Sequence, residues 1–128
     1  MKYIVLIGRI LYSALFISAS LGHFSRETIA YAKGHDVLFP EILVPLSGVL
    51  AFLGGLSILI GFKARYGAWL LVLFLAPVTL IMHDFWHVQD LGEQALQKTM
   101  FLKNLSLLGA ALLFTYFGSG PMSVDKQR

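Results

Sequence analysis

Residues 43–62 read LVPLSGVLAFLGGLSILIGF, twenty positions without a single charge. A helix of that length rises about 30 Å, which matches the hydrocarbon thickness of a bilayer. Backbone groups in lipid must be satisfied internally, so such a run is expected to be helical. The same spacing recurs on either side. There are 16 uncharged residues between Arg9 and Arg26, 21 between Glu41 and Lys63, 18 between Arg65 and Asp84, and 21 between Lys103 and Asp125. These runs place candidate membrane spans at 3–24, 43–62, 66–83 and 101–117.

Composition agrees with that reading. Of 128 residues, 57% are hydrophobic and 13% charged, and 12 more are glycine. An ordinary soluble domain is about 45–50% apolar and about 25% charged. A single small domain buries only about two-thirds of the surface its unfolded chain exposes, so a soluble monomer is excluded. Disorder is excluded too, because it requires low hydrophobicity and high charge. The expectation is an all-α integral membrane four-helix bundle, one domain over 1–128. Its longest connections fall at about 25–42 and 84–100, and there is no internal repeat or low-complexity tract.

The scarce charges orient the bundle. Lys2, Arg9, Lys63, Arg65, Lys126 and Arg128 share one side with Asp125, whereas Arg26, Lys33, Lys98 and Lys103 share the other with Glu27, Asp36, Glu41, Asp84, Asp90 and Glu93. Basic residues in short loops favour the cytoplasm, so both termini are expected there. The net charge of +3 is thus a topology signal. Its scattered lysines and arginines form no nucleic-acid patch; the expected partner is the lipid bilayer, with a second membrane protein or further copies of the chain in addition. Ser18-Ala19-Ser20 has the small residues of a signal-peptide cleavage site, but Arg9 interrupts the apolar region and the run continues to Phe24; a retained first span is expected.

At about 100° per residue, Arg9, Tyr12, Ser13, Phe16, Ser20 and His23 fall on one side of the first helix, and Ala14, Ser18 and Gly22 on the opposite side. Such small-residue ladders let helices approach closely in lipid; Ser47, Ala51 and Gly55 form another, and Ser106 with Ala110 a shorter one. Pro77 removes a backbone donor and is expected to kink the third helix near Leu73.

Ionisable groups within spans are costly and point to function or to deliberate pairing. His23, Glu41, His83, Asp84, Lys103 and Asn104 gather at the outer ends of their spans. His87 lies four residues after His83, and Trp86 suits an interfacial anchor. Three readings compete for this cluster. In the first, Asp84 and Lys103 form an interfacial ion pair and the histidines anchor the surface. In the second, His23, His83, Asp84, Lys103 and Asn104 line a site for a small molecule or redox carrier and handle its protons. In the third, His23 with His83 or His87 holds a metal or haem, although no recognised ligand spacing supports it. Arg9 stands apart, and reads either as a snorkelling side chain or as a contact for an anion or quinone oxygen from inside the bundle. With no cysteine, thiol, disulfide and iron–sulfur chemistry are excluded, and no nucleotide-binding or zinc-protease motif is present.

Several short elements, in order, carry a family resemblance. They are Gly8-Arg9 with Leu15-Phe16-Ile17, Leu53-Gly54-Gly55 leading to Gly61-Phe62-Lys63-Ala64-Arg65, His83-Asp84-Phe85-Trp86, Phe101-Leu102-Lys103-Asn104-Leu105, and the tail Gly118-Ser119-Gly120-Pro121-Met122-Ser123-Val124-Asp125. Together these resemble the DoxX family of small bacterial membrane proteins. The resemblance implies a four-helix inner-membrane protein, with relatives linked to quinone-coupled sulfur oxidation and oxidative-stress complexes. Two positions depart from the family pattern: Ala51 stands near a frequent glutamate, and His23 where lysine is frequent. The functional expectation is an accessory redox-linked component that binds quinone or another small hydrophobic molecule at the outer mouth. Its rivals are a non-enzymatic scaffold or assembly subunit and a small-molecule transporter acting as an oligomer.

Overall fold

A computed structural model of the chain describes residues 1–126. Four helices in it are long and apolar enough to cross a membrane. Helix α1 spans Lys2–Gly22 and buries Arg9, Ser13, Phe16 and Ser20. That is the stripe expected from helical phase, with Ala14, Ser18 and Gly22 exposed on the opposite side. The short helix α2, Arg26–Gly34, lies where only a connection was expected. Its local signals are ordinary ones: Ser25 caps it by accepting from the Thr28 amide at 3.2 Å, with Glu27 in the first turn and Lys33 in the last. They are easily passed over, because a nine-residue helix is too short to register against spans of bilayer length.

Helix α3 covers Pro40–Ile60, so Glu41 sits within its first turn and not before it. Proline is well suited to that first position, where its missing N–H costs nothing. Gly61, at φ 69°, ends α3 in the left-handed region, and helix α4 starts at Ala64 and continues past Pro77 to Met82. A single 3-10 turn, Phe85–His87, leads to helix α5, Leu91–Phe117, capped by the Asp90 carboxylate on the Glu93 amide at 2.9 Å. Helix α5 therefore begins ten residues earlier than the apolar run suggested. At 1.5 Å per residue it is about 40 Å long, which exceeds a hydrocarbon core of about 30 Å. Its polar first turns, with Glu93, Gln94, Gln97 and Lys98, carry no membrane signal, so charge spacing alone does not reveal them.

Neighbouring helices pack in the order α1, α3, α4, α5. Glycine permits the closest approaches. A Cβ at Gly48 would stand 2.7 Å from the His23 Cβ, and one at Gly54 would stand 2.8 Å from the Gly67 carbonyl oxygen. On α3 it is thus Gly48 and Gly55 that meet the α1 side, Gly48 in place of the expected Ser47, while the expected ladder on α1 itself faces outward. Phe16, Ala51, Ile58, Ala68, Leu71, Phe74, Leu75 and Ala111 form the core. Tyr12 joins α1 to α5: its hydroxyl donates to the Leu107 carbonyl at 2.8 Å, and its ring lies 5.3 Å from that of Phe114.

The segment after α5 folds back onto the bundle. Arg9 is 1% exposed, and its guanidinium donates to the carbonyls of Ser119 at 3.0 Å, Pro121 at 3.3 Å and Met122 at 2.6 Å. Asp125 accepts from the amides of Lys63 at 2.8 Å and Ala64 at 3.0 Å, which caps α4. Both termini consequently lie at one end of the bundle. Arg9 does not snorkel to the surface; its guanidinium makes a structural contact with the tail. Three carbonyls solvate its terminal nitrogens inside the protein, while Nε stays buried without a partner. Arg128, counted with the basic residues of this end, lies outside the described residues.

Candidate functional site

At the end opposite the termini, α2, α3 and α4, with His23 just after α1, surround a cavity of about 470 Å³. Phe74 and Leu50 line its depth, and Tyr31, Ala32 and Val37 of α2 and the segment after it roof it. Leu43, Leu46, Leu73 and Ile81 line its sides and are themselves exposed, so the cavity opens laterally toward lipid. Nearly all of the lining is hydrocarbon. The exceptions include two histidines from different helix ends, His23 after α1 and His83 after α4.

Hydrogen-bond bookkeeping assigns the proton on each ring. The Ser47 hydroxyl donates its one hydrogen to the Val44 carbonyl at 2.6 Å. In its 2.8 Å contact with His23 it can therefore only accept, so Nδ1 of His23 is the donor. The Phe74 ring, 5.4 Å from that of His23, holds the imidazole from the side. On the other wall, Gln97 Nε2 donates to the Glu93 carboxylate at 3.0 Å, which turns its carbonyl oxygen toward His83 Nδ1 at 2.8 Å. Nδ1 of His83 is the donor there too. In a neutral ring with Nδ1 as the donor, Nε2 carries the lone pair and can accept a hydrogen bond.

Asp84 does not enter this cavity. Its carboxylate lies 3.1 Å from His87 Nδ1 and 4.0 Å from His35 Nε2. Through His35, whose ring lies tilted against that of Tyr31 at 4.4 Å, Asp84 reaches from the segment after α4 to the roof helix. Lys103 is exposed, with Nζ 3.6 Å from the Met100 sulfur, and makes no ion pair with Asp84. The expected Asp84–Lys103 pair fails because α5 starts at Leu91, which sets Lys103 three turns into the helix and not at its mouth. Asn104 is buried on α5 and lies outside the cavity lining. Trp86 is half-exposed and meets Phe101 edge to face at 5.7 Å. Among the described residues no three histidine, aspartate or glutamate side chains converge as metal ligands, so His23, His83 and His87 do not form a set.

The lining contributed by α2 and the orienting roles of Ser47, Gln97 and His35 were not singled out from sequence. Only the spacing Ser25-x-x-Thr28 and the Glu27 and Lys33 charges pointed toward the roof helix. For Ser47 and Gln97 no local signal exists, since each acts on a residue from another element.

A lateral, apolar cavity in a four-helix membrane bundle, with its polar groups confined to one end, defines an integral membrane protein of the small-bundle class. The chain belongs to the DoxX family, whose sequence profile matches residues 4–84. It is 36% identical over 124 residues to inner membrane protein YqjF of Escherichia coli, covering 95% of this chain and 89% of that protein. Inner membrane protein YphA of the same organism is 28% identical over 102 residues, covering 78% of this chain and 71% of that protein. The Surfeit locus protein 4 homolog of Schizosaccharomyces pombe is 31% identical over 127 residues, of which the match spans 98% of this chain but 38% of that longer protein. No solved structure matches the chain.

Proposed function

We propose that the protein binds a small, largely apolar molecule carrying hydroxyl groups, taken from the bilayer into the cavity between α2, α3 and α4. One observation carries this reading: His23 and His83, from different helix ends, line one mostly hydrocarbon cavity, and each has its Nδ1 in contact with a protein partner, Ser47 or Gln97. Their Nε2 atoms need donors, and a carbonyl cannot supply one. A hydroquinone fits, since its ring suits Phe74 and its two hydroxyls suit the two imidazoles. Oxidation of that ligand releases two protons and two electrons; the histidines take the protons, and the electrons pass to an acceptor outside this chain. The protein is then an accessory component of quinone-linked redox chemistry in the bacterial cytoplasmic membrane, with its termini on the cytoplasmic side. The inner-membrane relatives and the basic end at the termini support that placement.

Purification in mild detergent, followed by solvent extraction and mass spectrometry, tests this reading. A quinol is expected to co-purify, and added menadiol is expected to bind. His23→Phe and His83→Phe should each weaken menadiol about tenfold, the cost of one lost hydrogen bond in a dry site. An empty extract together with absent menadiol binding would overturn the proposal.

A second reading rests on a different surface. Ala14, Ser18 and Gly22 present an exposed small-residue face on α1, and nothing lies within 4 Å of where a Cβ at Gly22 would be. Such a face fits another membrane helix, as in a scaffold or assembly subunit. Because the chain has no cysteine, Ser18→Cys would be the sole thiol. Its crosslinking to one stoichiometric membrane partner, with the cavity empty, would favour this reading.

A further inference from the structure

A second cavity of about 470 Å³ lies at the opposite end, between the start of α4 and the end of α5, and includes Lys63, Arg65, Tyr66, Phe117, Asp125 and Lys126 in its lining. Its charge is one-sided. The single acid, Asp125, has both carboxylate oxygens committed to the Lys63 and Ala64 amides. Among the described residues, neither Arg65 nor Lys126 has an ion-pair partner. Lys63 holds its ammonium 5.7 Å from the Phe62 ring centre, within reach of the cavity rim.

The level of this cavity in the membrane follows from the aromatic residues around it. Tyr66, Trp69, Tyr116 and Phe117 are exposed on α4 and α5. Aromatic side chains of this kind collect where headgroups meet hydrocarbon. Cations alone at that level would be ordinary topology markers. Here they line a recess closed on one side by the docked tail, with Tyr66 and Phe117 offering an apolar edge where acyl chains begin.

We propose that this recess binds the phosphate of an anionic phospholipid headgroup, with Arg65 as the two-pronged donor and Lys126 and Lys63 as the supporting charges. A guanidinium matches two phosphate oxygens at once, which an ammonium cannot do. The ligand class is a phosphodiester with net negative charge. A zwitterionic choline headgroup brings a cation into a recess that already holds three.

Delipidated protein titrated with phosphatidylglycerol or phosphatidylcholine, and read by native mass spectrometry, provides the test. Phosphatidylglycerol is expected to bind about tenfold more tightly than phosphatidylcholine. The double variant Arg65→Gln/Lys126→Gln should erase that preference, whereas Lys33→Gln/Lys98→Gln at the other end should keep it. Both site residues are exposed, and circular dichroism should show an intact helical fold. If the double variant is unstable, Lys126→Gln alone, outside every helix, should lower the preference. Equal binding of the two lipids would overturn the proposal, as would an equal loss from the control pair. So would binding of inorganic phosphate without any preference between the lipids, which would make the site one for soluble phosphate.

Discussion

Arg9 shows how one buried charge organises an entire end of the molecule. Its guanidinium gathers three carbonyls of the tail, from Ser119, Pro121 and Met122, more than a hundred residues away in sequence. Arg9→Met keeps bulk but strands those carbonyls, and should destabilise the protein by about 3 kcal/mol, the scale of lost hydrogen bonds to a charged group. Arg9→Lys should recover only part of this, because one ammonium cannot reach the same fan of acceptors. Denaturation in detergent, followed by circular dichroism, would measure both. Asp125→Ala removes the α4 cap from the same junction and should cost about 1 kcal/mol by the same measurement. A residue-scale reading of sequence placed Arg9 on the inward stripe of α1, which helical phase alone could do. It could not find the acceptors, since Ser119, Pro121 and Met122 lend backbone oxygens that no side-chain pattern announces.

At the scale of elements, the contacts that matter are close helix approaches and one small roof. Gly54 and Gly67 let α3 and α4 come together; Gly54→Leu would drive a side chain into Leu71 and the Gly67 carbonyl, and should destabilise by about 2 kcal/mol or more. The roof behaves differently. Helix α2 is held by the buried Ala32, which is 1% exposed, and by the His35–Asp84 contact. Ala32→Arg should lift α2 without melting the four spans. Hydrogen exchange across 26–34 should then accelerate about tenfold or more, while the spans keep their protection and menadiol binding falls. Long apolar elements were legible because each one independently meets the demand of lipid for internal hydrogen bonding. The polar turns at the start of α5 and the nine residues of α2 were not, because their helicity is decided by caps and by packing against neighbours.

For the whole molecule, an even number of spans and the docked tail place both ends of the described chain together, and charge sets an expected direction. The end with the termini carries Lys2, Arg9, Lys63, Arg65 and Lys126 with one acid, Asp125, while the other end carries Arg26, Lys33, Lys98 and Lys103 with six acids. Single cysteines introduced into this cysteine-free chain would report the orientation. A membrane-impermeant thiol reagent should label Gly92→Cys from the periplasmic side of intact cells, and Lys126→Cys only after the membrane is opened. The reverse pattern would invert the topology. What the sequence by itself determined is the solvent of this protein, and with it the number and type of its spans. Apolarity and length are local properties, and a bilayer acts on each run separately. Which histidines share a cavity, which partner meets each Nδ1, and which carbonyls solvate Arg9 were decided only by the tertiary structure. Those depend on Ser47, Gln97, the roof helix and the tail arriving from distant parts of the chain, and hydrogen bonds form between neighbours in space whatever their separation in sequence.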